Sequence, residues 1–72
     1  MLKIKFKKAE TACQLMDWLH QRGHRLLSSD ETLISGDGWT IRKTGFEFPW
    51  NNYEFNIEDH NLGLLAIITM RL

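Results

Sequence analysis

A single cysteine, Cys13, rules out any disulfide within these 72 residues. A domain this small must then be held by packing, by a metal or by a second chain. One proline, Pro49, and the absence of low-complexity stretches or repeats exclude collagen-like and disordered classes. Nine basic and nine acidic side chains cancel, so there is no global positive field of the kind that drives nonspecific binding to nucleic acid. The longest apolar run, Leu62 to Met70, is broken by Gly63 and Thr69 and falls far short of the roughly 20 residues that cross a bilayer. The lone thiol and the lack of a secretory leader favour a reducing, cytoplasmic setting.

What is present is the composition of one ordered domain, residues 1–72, with its charge segregated along the chain. Residues 1–43 carry eight basic and five acidic groups, a balance of +3, and residues 44–72 carry one basic and four acidic groups, a balance of −3.

Leu2, Ile4 and Phe6 alternate with Lys3, Lys5 and Lys7, the period-2 pattern of a half-buried strand over residues 2–7. The period then lengthens. Ala9, Ala12, Leu15, Met16 and Leu19 fall on one stripe of a helix expected over residues 8–22, with Gly23 as its stop. A short extended segment near Arg25–Ser28 and a polar reversal at Ser29–Glu31 follow. Asp37-Gly38 reads as a type I′ hairpin turn that pairs Gly36 with Trp39, Ile34 with Ile41 and Thr32 with Lys43.

A second hairpin is expected around Asn51-Asn52, since Asn tolerates positive φ. Its pairs would be Trp50–Tyr53, Phe48–Phe55 and Phe46–Ile57. The run Leu64–Leu72 holds Ile67, Ile68 and Thr69 in succession, which favours a central strand with Ile68 in the core. The competing reading is a helix capped by Asp59, with Gly63 inside it at a cost of about 1 kcal/mol.

Candidate chemistry is sparse. Cys13, Asp17, His20 and His24 would share a helix face only if the helix ran through Gly23, and they lack the paired Cys/His spacing of zinc motifs. Cys13 with His60 has no nucleophile turn or oxyanion hole around it. Gly36-Asp37-Gly38 lacks the strand-to-helix context of a phosphate cradle. No catalytic, cofactor or metal site is expected.

Binding surfaces are easier to propose. Trp18 lies outside the main apolar stripe beside Arg22, either an exposed pairing of the kind common at protein interfaces or a side chain partly buried against the chain that follows the helix. Glu47, Glu54 and Glu58 would line the outer face of the second hairpin, where no basic residue occurs between Gly45 and Asp59. Lys3, Lys5, Lys7 and Lys8, with Arg42 and Lys43, are the alternative, a surface for a phosphate backbone. The same lysines could instead blunt a sheet edge and pair with the glutamates across strands.

The expected fold is α+β: a β-α unit followed by an antiparallel meander, one helix on one face of a five- or six-stranded sheet. The order after the helix resembles the small α/β folds of double-stranded-RNA-binding domains and of certain toxin–antitoxin proteins, a likeness of architecture that assigns no site residue. The expected function is a small non-enzymatic adaptor or inhibitor that occludes a protein surface, of a size that suits an accessory protein of a phage or other mobile element. A second copy of the chain is a further candidate partner, nucleic acid is the alternative, and no membrane is involved.

Overall fold

The structure is a computed structural model that describes residues 1–45 and 52–72. Its elements run β1 (Leu2–Phe6), α1 (Ala9–Gln21), β2 (Leu26–Ser29), β3 (Leu33–Gly36), β4 (Trp39–Gly45), β5 (Asn52–Ile57) and α2 (His60–Met70). The fold is α+β, with one antiparallel sheet in the order β1-β5-β4-β3-β2.

The N-terminal half follows its sequence pattern. The alternation of β1 buries Ile4 and exposes Lys3 and Lys5. In α1 the buried residues are Ala12, Leu15, Trp18 and Leu19, so the packed face is rotated toward Trp18 relative to the stripe expected, and Ala9 is exposed. Gly23, at φ 88°, turns the chain out of the helix in the left-handed conformation that glycine adopts without steric cost.

The first hairpin has the expected register, Gly36 opposite Trp39 and Ile34 opposite Ile41, with Lys43 N–H donating to Thr32 O at 2.8 Å. Its turn differs from type I′, because only Gly38 has positive φ, 82°, and Asp37 does not. A single positive φ at the third position is the type II signature. Gly36 is required for another reason: a Cβ there would lie inside the Trp39 indole, which crosses over it. The same ring donates through Nε1 to His24 O at 3.1 Å, tying the exit of α1 to the sheet.

The second half departs from expectation twice. Phe55 and Ile57, expected in a hairpin with Phe48 and Phe46, have both their sides taken by other strands. They lie opposite Ile41 and Trp39 on β4 and opposite Ile4 and Leu2 on β1. Both edges of β5 are thereby used, so β5 is an interior strand, and residues 64–72, expected as a strand, are not in the sheet. Asn52 is a strand residue opposite Gly45, so it is not a turn position. Phe46, Glu47, Phe48, Pro49, Trp50 and Asn51, on which the rest of that hairpin reading falls, lie outside the described residues.

The C-terminal segment is a helix. Asp59 Oδ1 accepts from Leu62 N–H at 3.1 Å, which satisfies one of the free donors of the first turn. Gly63 is the contact at which α2 reaches the sheet, since a Cβ there would stand 2.6 Å from Leu2 Cδ2 and 2.8 Å from Ile57 Cγ2. The helix ends with Arg71 in the left-handed region and Leu72 N–H donating to Ile67 O at 3.1 Å.

Both helices pack on the same side of the sheet over one core. It joins Ile4 of β1, Leu15, Trp18 and Leu19 of α1, Trp39 and Ile41 of β4, Phe55 and Ile57 of β5, and Ala66 of α2. Among the described residues no helix or strand covers the other, open face of the sheet. Among the described residues no helix is long and apolar enough to cross a membrane.

Candidate interaction surfaces

Helix α2 is built from His60-Asn-Leu-Gly-Leu-Leu-Ala-Ile-Ile-Thr-Met70 and carries no charged residue. Its small residues, Gly63 and Ala66, are the ones buried, while Leu62, Ile67 and Met70 flank the core. The remaining large side chains are exposed: Leu64 to 43%, Leu65 to 41% and Ile68 to 75%. Their i, i+1, i+4 spacing puts them on one face of the helix. His60, Asn61 and Thr69 share this exposed side, and the three large apolar side chains stand among them. Ile68 was expected in the core and is on the surface. This face was not found from sequence because large apolar residues on both sides of the helix leave little period to detect.

Trp18, the candidate interface residue, is buried, 9% accessible, within the core. The Arg22 guanidinium lies 4.4 Å from its ring centroid. That stacking closes the edge of the core, and the pair does not form a protruding hot spot.

The open face of the sheet holds Lys3, Lys5, Glu54, Asn56, Thr40 and Arg42 in neighbouring strands. Glu54 is not part of an acidic patch there. It lies opposite Lys5 on one side and Arg42 on the other, and its carboxylate is 3.6 Å from Lys3 Nζ. The Asn56 amide donates to Glu54 Oε1 at 3.2 Å. That hydrogen bond, then the Lys3 and Arg42 charges, hold the Glu54 carboxyl below its ordinary value, against a partial opposing effect of desolvation. Glu58, exposed, lies just past the other end of β5, and Glu47 is outside the described residues. The structure therefore places Glu54 among the lysines, with Glu58 beyond the end of its strand.

The basic set is divided too. Lys3, Lys5 and Arg42 share the open face, whereas Lys43 opposes Tyr53 on the helix side of the sheet. Lys7 and Lys8 stand between β1 and α1. An open cleft of about 410 Å³ beside the stacked Phe6 and Tyr53 rings is lined by Lys5, Lys7, Thr44, Asn52 and Glu54.

Cys13 is exposed. Asp17 accepts a hydrogen bond from Gln21 at 3.2 Å. His24 lies beyond the end of α1, with Nδ1 3.1 Å from Asp37 O. Among the described residues no three His, Cys, Asp or Glu side chains converge on a point.

No family model matches this chain, and neither a curated protein nor a solved structure matches it.

Proposed function

We propose that the chain is a small adaptor or inhibitor that works by protein–protein contact, and that it engages its partner through α2, with Leu64, Leu65 and Ile68 entering an apolar groove on the other protein. The observation that carries this reading is the exposure of those three residues on one face of an uncharged helix. Amphipathic-helix recognition uses such i, i+3/i+4 anchors. Because α2 is already folded and docked, little ordering entropy is lost on binding. Occlusion is the mechanism, since the surface offers shape and apolarity and no reactive group.

The acidic-hairpin version of this proposal loses support from the surroundings of Glu54, which the sheet itself uses. The nucleic-acid alternative retains Lys3, Lys5 and Arg42 on the open face, but Glu54 stands between them and offsets part of their field.

Salt dependence and mutation test the proposal together. Tagged chain is incubated with nuclease-treated extract of the cells that make it, and the protein recovered is purified and its affinity measured. We expect binding that changes little with salt, is lost in Ile68→Asp and is kept in Lys5→Glu. Recovery that needs nucleic acid, falls steeply with salt and fails in Lys5→Glu instead would overturn it.

A further inference from the structure

The two edges of the sheet are not alike. β1 ends the sheet on one side and presents Lys3 and Lys5 with Lys7 following, the charged edge that discourages strand addition. β2 ends it on the other side with the sequence Leu-Leu-Ser-Ser, in which every residue is exposed. Leu27 is 70% exposed and Leu26 51%. Among the described residues no strand or helix covers this edge, and its outward N–H and C=O groups are available to another strand. A register shift between Leu26 and Ser28 marks a bulge at Leu27, which is the one protective device on this edge, and it presents an apolar side chain instead of a charge.

We infer that β2 is a self-association edge: two copies of this chain pair β2 with β2 in antiparallel sense about a two-fold axis perpendicular to the sheet, joining two five-stranded sheets into one. The occupant is identified by charge. Arg25 immediately precedes β2, and Asp30 and Glu31 immediately follow it. Antiparallel pairing of a strand with its own copy brings the start of each against the end of the other. Each Arg25 therefore meets the acidic turn of its partner, twice per dimer, while the two Leu27 side chains come together near the axis. Parallel pairing would set Arg25 against Arg25. Within one chain neither Arg25 nor Glu31 forms a salt bridge among the described residues, whereas Asp30 Oδ1 is held by Glu31 N–H in the turn.

The contact is short. A four-residue edge falls below the roughly 1,000 Å² that a tight interface buries, so the dimer is weak and reversible, with a Kd on the order of micromolar to hundreds of micromolar. The pairing leaves both α2 faces free, so a dimer would carry two copies of the proposed partner surface.

Sedimentation equilibrium of the purified chain tests this without any partner, so its outcome is separate from that of the α2 proposal. Wild type is expected to shift from monomer to dimer as concentration rises to about 1 mM. Leu27→Lys and Arg25→Glu should each weaken the dimer about tenfold or more. Arg25→Glu combined with Glu31→Arg should recover most of the loss, a rescue that general unfolding would not produce. Ile68→Asp should leave self-association unchanged. A wild type that stays monomeric throughout, a dimer indifferent to Leu27→Lys, a charge swap that fails to recover, or a dimer lost in Ile68→Asp would each overturn the assignment.

Discussion

Replacing Gly63 by alanine sets two opposed effects against each other, and the structure decides which wins. In the interior of an exposed helix, Gly→Ala stabilises by about 1 kcal/mol, because alanine loses less backbone entropy. At this position the new methyl would stand 2.6 Å from Leu2 Cδ2 and 2.8 Å from Ile57 Cγ2, both far inside carbon–carbon contact distance. Leu2 is only partly buried and its Cδ2 is the far end of a flexible side chain, so that clash can relax. Ile57 is 2% exposed and Cγ2 is attached directly to its branched Cβ, which leaves it one strongly preferred rotamer. The helix must therefore lift from β5. Overpacking of this kind costs about 1–3 kcal/mol, and subtracting the propensity gain leaves a net loss of about 0–2 kcal/mol. In a domain of this size each kcal/mol lowers Tm by about 4–8 °C. Thermal unfolding followed by circular dichroism reads this directly. A Gly63→Ala variant more stable than wild type by the full propensity gain would mean that α2 does not press on β1 and β5 at this point.

Leu15, fully buried, and Ile68, largely exposed, give a paired contrast: Leu15→Ala should lose about 2–5 kcal/mol and Ile68→Ala less than about 0.5 kcal/mol in chemical denaturation, and similar losses at both would displace the core. Gly36→Ala should expel the Trp39 indole from its buried place, red-shift its fluorescence and lower Tm; an unchanged spectrum and midpoint would show that the ring does not lie there. Because the Glu54 carboxyl is held below its ordinary value of 4.5 by Asn56, Lys3 and Arg42, the stability it contributes is present above that value and is lost as pH falls through the lower, folded value. The Tm difference between wild type and Glu54→Gln should accordingly shrink as pH is lowered from about 6 to about 3, and a difference that grew on acidification would reverse the sign of the argument.

The parts of the fold legible in the sequence are those encoded by near neighbours. Three lysines alternating with Leu2, Ile4 and Phe6 can only be a half-buried strand, the α1 stripe carries its own period, and Asp37-Gly38 sets the register of β3 against β4 within a few residues. Long-range pairing was not legible. Asn51-Asn52 has the chemistry of a hairpin turn, yet Phe55 and Ile57 take partners from β4 and from β1, a choice made by the core as a whole. The C-terminal helix was misread for a related reason. Its apolar residues face both the core and the surface, so neither a strand nor a helix period stands out, and Gly63 looks like a defect until the proximity of Leu2 and Ile57 is seen. Of the candidate surfaces, the likely-looking tryptophan beside an arginine turned out to seal the core, and the face left open was written in residues that resemble a core.

The central claim is that α2, and not the open face of the sheet, touches another protein, and site-specific photo-crosslinking in the cells that make the chain tests it most directly. A photoreactive amino acid is placed at position 68 in one variant and at position 42 in another, both on exposed side chains whose replacement leaves the core intact. The account predicts a discrete protein adduct from position 68 that survives nuclease treatment, and none from position 42. Adducts from position 42 alone, whether to nucleic acid or to protein, with position 68 left uncrosslinked, would contradict it.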